Sequence, residues 1–134
     1  MNKEYLDQMQ SVAVLVCDDE VRTRQALKAL LLTRELVRMD KFIPSIQVID
    51  EACQVIDLSK MVEIYQPQVL IMDAPKAGNA SLQVIREIKW KWPYLKIVML
   101  SMNPDLGPTA VKAGVDKFLL KGCSAETLFE AILD

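Results

Sequence analysis

The stretch "QVLIMD", residues 68 to 73, decides the fold. Val69 to Met72 is an unbroken apolar run with no polar alternation, the pattern of a short strand buried on both faces of a sheet. It ends on a carboxylate, Asp73, and breaks at once into "APKAGNAS" (74 to 81), a loop holding Pro75, Lys76 and Gly78. An acid at the end of a buried strand is costly unless something uses it. The stretch therefore asks for a parallel sheet with a polar site at one edge.

Four further segments repeat the signal. "VAVLVC" (12 to 17), "SIQVIDEA" (45 to 52), "KIVMLSM" (96 to 102) and "KFLLK" (117 to 121) read as strands one, two, four and five. Helical spacing fills the gaps between them. Val21 to about Arg38 forms a long first helix with Leu27, Leu30 and Leu31 as its apolar stripe and Ala26 as a candidate member. A second runs from about Gln54 to Tyr65 and stops before Pro67. Leu82, Ile85, Ile88 and Trp92 mark a third that ends near Pro93. A short helix around Thr109 to Ala113 is closed by Gly114, and the last follows Ser124, a good N-cap. Strands alternating with helices predict an α/β fold: a doubly wound five-stranded parallel sheet with helices on both faces.

Composition agrees with one globular domain. The chain has 134 residues, 51% of them hydrophobic and 25% charged, which is enough apolar surface for a single core. Residues 1–10 read as an N-terminal tail and 11–134 as the domain. No apolar run reaches the ~20 residues of a membrane helix, and "MNKEYLDQMQ" has no signal-peptide core, so a cytoplasmic location is expected. Cys17, Cys53 and Cys123 are expected as buried free thiols. The net charge of −2 and the lack of a basic stripe argue against direct nucleic-acid binding. With no histidine, Ser/His and Cys/His nucleophiles and His-containing metal sites are excluded.

In doubly wound sheets ligands bind beyond the carboxyl ends of the strands. Here those ends carry Asp18, Asp19 and Glu20 after strand one, Asp73 after strand three, Ser101 after strand four and Lys121 after strand five. Carboxylates gathered at one point raise one another's pKa, and a hard divalent cation relieves that cost; an oxygen-rich set of this kind suits Mg²⁺. A lysine and a hydroxyl beside the metal complete a site able to hold a phosphoryl group. No glycine-rich phosphate loop follows strand one, which argues against a flavin-binding protein of the same architecture. Each residue alone has a plainer reading, Asp73 as a turn former and Phe118 as core, and the joint placement is what favours a site.

"VLVCDDE", "QPQVLIMD", "WPYLKIVMLS" and "AGVDKFLLK" together resemble the receiver domain of two-component response regulators, over Ser11 to Asp134. "REIKWKWPYLKIVMLS" is most similar to LuxR-type receivers. The resemblance implies a flavodoxin-like receiver fold in which Asp73 accepts a phosphoryl group from a sensor histidine kinase. It implies that Asp18, Asp19, Asp73 and the backbone carbonyl of Pro75 hold Mg²⁺. Lys121 and Ser101 would contact the phosphoryl oxygens, and Phe118 matches an aromatic switch. Such receivers usually precede a DNA-binding output domain, act as phosphoacceptors rather than classical enzymes, and often pair through helices one and five.

The chain departs from the family at several points. Lys76 and Ala77 stand where a Met-Pro pair is usual, the proline has moved to Pro75, and Gly122 replaces the proline after the lysine. The connection between strands one and two, "LLLTRELVRMDKFIP", is long. It reads either as a simple extension of helix one or, through Leu36, Val37, Met39, Phe42 and Ile43, as a contact surface for a partner such as a second copy. Two functions stay open. One is a Mg²⁺-dependent phosphoacceptor switch, with Trp90 and Trp92 as fluorescent reporters; the other is a receiver-like interaction or dimerisation module that works without phosphorylation.

Overall fold

The computed structural model describes residues 11–37, 44–52, 54–73 and 79–134. Its strands are β1 (Ser11–Cys17), β2 (Ser45–Ala52), β3 (Val69–Asp73), β4 (Lys96–Ser101) and β5 (Lys117–Leu120). They are joined by helices α1 (Val21–Val37), α2 (Leu58–Tyr65), α3 (Asn79–Lys91), α4 (Gly107–Ala113) and α5 (Ala125–Leu133). All strand pairs are parallel, in the order β2-β1-β3-β4-β5. The order reverses between β1 and β3, which opens the crevice where such sheets bind ligands.

Alternate residues of the central strands serve two cores. Leu15, Cys17, Leu70, Met72, Ile97 and Met99 pack with Leu58 and Val62 of α2, Ile85 and Ile88 of α3 and Ala110 of α4. Val14, Val16, Val69, Ile71 and Val98 face the other way, onto Leu31 of α1 and Leu128 and Ile132 of α5. The strands are apolar throughout because both faces are covered. Each large aliphatic side chain so buried contributes about 1.5–3 kcal/mol.

Local signals explain most boundaries. Ser124 caps α5 by accepting from the Thr127 amide at 3.1 Å. Gly114 ends α4 at φ +122°, a conformation costly for any side-chain-bearing residue. The second helix is shorter than its periodicity suggests: residues 55–57 form a 3₁₀ turn, and α2 begins at Leu58. Helix α4 begins at Gly107, before the expected Thr109, after a 3₁₀ turn over Pro104–Leu106. In α1 the apolar stripe is narrower than read. Leu31 is buried and Leu27 half-buried, while Ala26 and Leu30 face solvent.

Helix α1 is stitched to β2 at both ends. Arg24 and Lys28 pair with Glu51 near its start. Near its end the Arg34 guanidinium reaches the Pro44 carbonyl at 3.2 Å, and the Ile46 amide donates to Glu35 at 2.8 Å. Met39, Phe42, Ile43 and Cys53 lie outside the described residues, as does the side chain of Val37. Of the other thiols, Cys17 is buried as expected, whereas Cys123 is only half-buried because it sits in the open turn after β5. Among the described residues no helix is long and apolar enough to cross a membrane.

Candidate functional site

Strand β1 delivers Asp18 and Asp19 to the crevice, and β3 delivers Asp73 from the neighbouring position. Carboxylate oxygens of the three lie within 4.8 Å of one another. The Asp18 backbone is held firmly: its amide donates to the Ala52 carbonyl at 3.0 Å, and its own carbonyl accepts from Arg24 Nη1 at 2.6 Å. Its side-chain Oδ1 accepts from the Glu20 amide at 2.9 Å. Asp18 is buried, Asp73 half-buried and Asp19 exposed. Burial pushes the Asp18 carboxyl above its ordinary range, and the charges of Asp73 and Asp19 add to this; the Glu20 amide and Lys121 pull the other way.

Lys121 follows β5 directly, its amide bonded to the Ser101 carbonyl at 2.8 Å. That register sends the Lys121 side chain across the strand ends, and its Nζ lies 2.5 Å from Asp73 Oδ1. The contact is an ion pair rather than a well-angled hydrogen bond: Asp73 Oδ1 is buried and accepts no hydrogen bond. Lys121 supplies the positive charge that this buried carboxylate oxygen requires. Three carboxylates of this spacing, all hard oxygen donors, fit Mg²⁺.

Ser101 is buried at the end of β4, but its hydroxyl is engaged elsewhere. It accepts from the Asn103 amide at 3.0 Å, and Asn103 in turn caps the following turn by accepting from the Asp105 amide. Phe118 is half-buried against the α2–α4 core, and its ring covers Gly107, where an added Cβ would meet Cδ1 at 3.2 Å. Asp18, Asp19, Asp73 and Lys121 are thus brought together, while Ser101 stands beside them with its hydroxyl turned into its own loop. Pro75, Lys76 and Ala77 lie outside the described residues.

The turn after Lys121 has its own logic. Gly122 adopts φ +93°, which proline, fixed near −65°, cannot reach. The turn is closed by the Cys123 amide on the Leu120 carbonyl at 3.1 Å. Arg24 and Glu51 escaped the sequence reading although both bear on Asp18. Their signal was a basic residue one turn into the helix after the acidic pair, opposite an acid at the end of the adjacent strand. Trp92 lines a cleft with Pro67, Gln68 and Pro93 at the opposite edge of the sheet, and Trp90 is exposed beside it. Neither touches the carboxylates, so they are poor reporters on them.

With this geometry the comparisons agree. The model of the response regulator receiver domain matches residues 14–133. The chain is 24% identical over 123 residues to the transcriptional regulatory protein DegU of Brevibacillus brevis, covering 90% of this chain and 48% of that one. It is 28% identical over 120 residues to the transcriptional regulatory protein YdfI of Bacillus subtilis, covering 89% and 52%. The chain therefore spans about half the length of the curated relatives it matches. A DNA-binding response regulator of the LuxR family from Staphylococcus aureus superposes with a TM-score of 0.70 at 27% identity, over 90% of this chain and 95% of that one. The signal receiver domain of the response regulator NarL from Mycobacterium tuberculosis shares the fold, with a TM-score of 0.75 at 22% identity over 92% and 94%. A family match over nearly the whole described sheet, with acids and lysine gathered at its edge, places this chain in the response regulator receiver domain family of two-component systems.

Proposed function

We propose that the domain is a Mg²⁺-dependent phosphoacceptor whose nucleophile is Asp73. The observation that carries this reading is the convergence of the Asp18, Asp19 and Asp73 carboxylates, with Lys121 Nζ paired to Asp73 Oδ1. A carboxylate oxygen of Asp73 attacks the phosphorus of a phosphohistidine on a sensor kinase. The P–O bond of an acyl phosphate forms, the P–N bond breaks, and the imidazole leaves with its electron pair and takes up a proton. Asp18, Asp19 and Asp73, with the Pro75 carbonyl that the family resemblance implies, would hold Mg²⁺, which would supply positive charge to the transferring phosphoryl group. Lys121 exchanges its pair with Asp73 for one with the phosphoryl oxygens. Positioning and charge provide the rate enhancement, as in other phosphoryl transfers.

Ser101 is the moving part of this reading. Its hydroxyl leaves the Asn103 amide to bond the phosphoryl group, which draws in the loop that starts α4; Phe118, packed on Gly107, follows. The output is transcriptional control through a DNA-binding partner or domain beyond these residues, in line with the names of the relatives. Leu32 and Leu36, one turn apart on α1 and 60% and 77% exposed, are the surface through which two copies pair. Sedimentation of the Leu32→Lys, Leu36→Lys variant checks that contact: it should run as a monomer where the parent does not.

A second reading has its own support. The family's Met-Pro pair is absent and Lys76 and Ala77 stand in its place, so the loop beside Asp73 departs from the pattern of phosphoacceptors. Mass spectrometry after incubation with a small phosphodonor separates the two. The phosphoacceptor reading expects one added phosphoryl group with Mg²⁺, none after chelation and none in Asp73→Ala. An unmodified parent protein favours the contact module.

A further inference from the structure

We infer that Arg24 and Glu51 are positioning residues for the acidic pair, setting the affinity of the site for its divalent cation; the inference rests on the Mg²⁺ reading above. Arg24 lies one turn into α1 and its side chain is only 12% exposed. Its guanidinium is used as a fork. Nη1 donates to the Asp18 carbonyl at 2.6 Å, and Nε donates to Glu51 Oε1 at 3.2 Å. Glu51 sits on β2 beside Val16 and is also held by Lys28. Those two cations hold its carboxyl below the ordinary range, so it stays charged at neutral pH.

The link runs from a strand, through a planar fork, to the backbone of one proposed ligand. On the other side, the Asp18 amide is tied to the Ala52 carbonyl of the same strand. The peptide at Asp18 is thus pinned to β2 twice, once directly and once through Arg24. A lysine at position 24 would reach one of these partners but not both in the same plane. Asp18 and Asp19 then meet a cation without having to be ordered first, and groups that fix a ligand's orientation typically change metal affinity by 10–100-fold when removed.

The sign of the effect separates positioning from charge. Arg24 is a cation near the acids, so if only its charge mattered, removing it would tighten Mg²⁺ binding. Positioning predicts the reverse. Calorimetric titration of the purified, phosphate-free protein with Mg²⁺ should give a dissociation constant roughly 10-fold higher in Arg24→Met than in the parent. Glu51→Gln removes an acid, so charge and positioning both lower its affinity; the double variant separates them, since it should be no weaker than Arg24→Met alone once the link is already broken. Circular dichroism confirms that each variant is folded; if Arg24→Met is not, Arg24→Lys, which keeps the charge and loses the fork, carries the test. Binding that is unchanged or tighter in folded variants overturns the inference. No Mg²⁺ binding by the parent protein overturns the Mg²⁺ reading itself, a distinguishable failure.

Discussion

Asp18 is where folding and function pull in opposite directions. Its carboxyl is raised by burial and by its acidic neighbours, so without metal the ionised form destabilises the fold at neutral pH. As pH falls through the raised pKa toward the unfolded value of 3.8, that cost disappears. Asp18→Asn keeps the acceptor for the Glu20 amide and removes the charge. In metal-free buffer at pH 7 it should melt roughly 3 °C above the parent, and the gap should close near pH 4. Adding Mg²⁺ should raise the melting temperature of the parent and leave Asp18→Asn almost unmoved, because only the parent keeps the ligand set. The residues of this site were legible as types at strand ends: Asp18, Asp19, Asp73 and Lys121 all meet. The orientation of the Ser101 hydroxyl was not, since a rotor choosing between a phosphate and its own turn leaves no trace in residue identity. Arg24 was missed because its signal, a basic residue one turn after the acidic pair facing Glu51 on the next strand, becomes visible only once β1 and β2 are known to be neighbours.

The loop before β5 shows how a single side chain holds an element. Asp116 Oδ2 accepts from the Ile97 amide at 2.8 Å and from Lys89 Nζ at 2.7 Å, tying the start of β5 to β4 and to α3. Lys89 also donates to the Leu95 carbonyl. Asp116→Ala strands the Ile97 amide and should cost ~2 kcal/mol, read as a lower urea midpoint at unchanged slope. Ser124→Ala removes the cap of α5 and should cost ~1 kcal/mol in the same measurement. Strands were easy to read because continuous β-branched runs have few other uses, and Gly114 and Ser124 mark their helix ends through backbone chemistry. The start of α2 was misjudged because residues 55–57 carry helical spacing yet form a tighter turn. Ala26 and Leu30 were misassigned because α1 packs on β2 through a narrow face, with charged anchors doing what a wider apolar stripe does elsewhere.

At the scale of the whole molecule, two cores on either side of one sheet hold β1 and β3 side by side and so set the spacing of the acids at their ends. Ile85, fully buried between α3 and the sheet, should cost ~2–5 kcal/mol as Ile85→Ala without altering the chemistry of Asp73. The central claim is that Asp73, and no other residue, takes the phosphoryl group. An aspartyl phosphate is an acyl phosphate, so borohydride reduces it to homoserine, whereas a serine phosphate is untouched. Peptide mapping after incubation with Mg²⁺, a small phosphodonor and borohydride should find homoserine at position 73 and nowhere else. An intact aspartate at position 73, or a label confined to Ser101, would contradict the account.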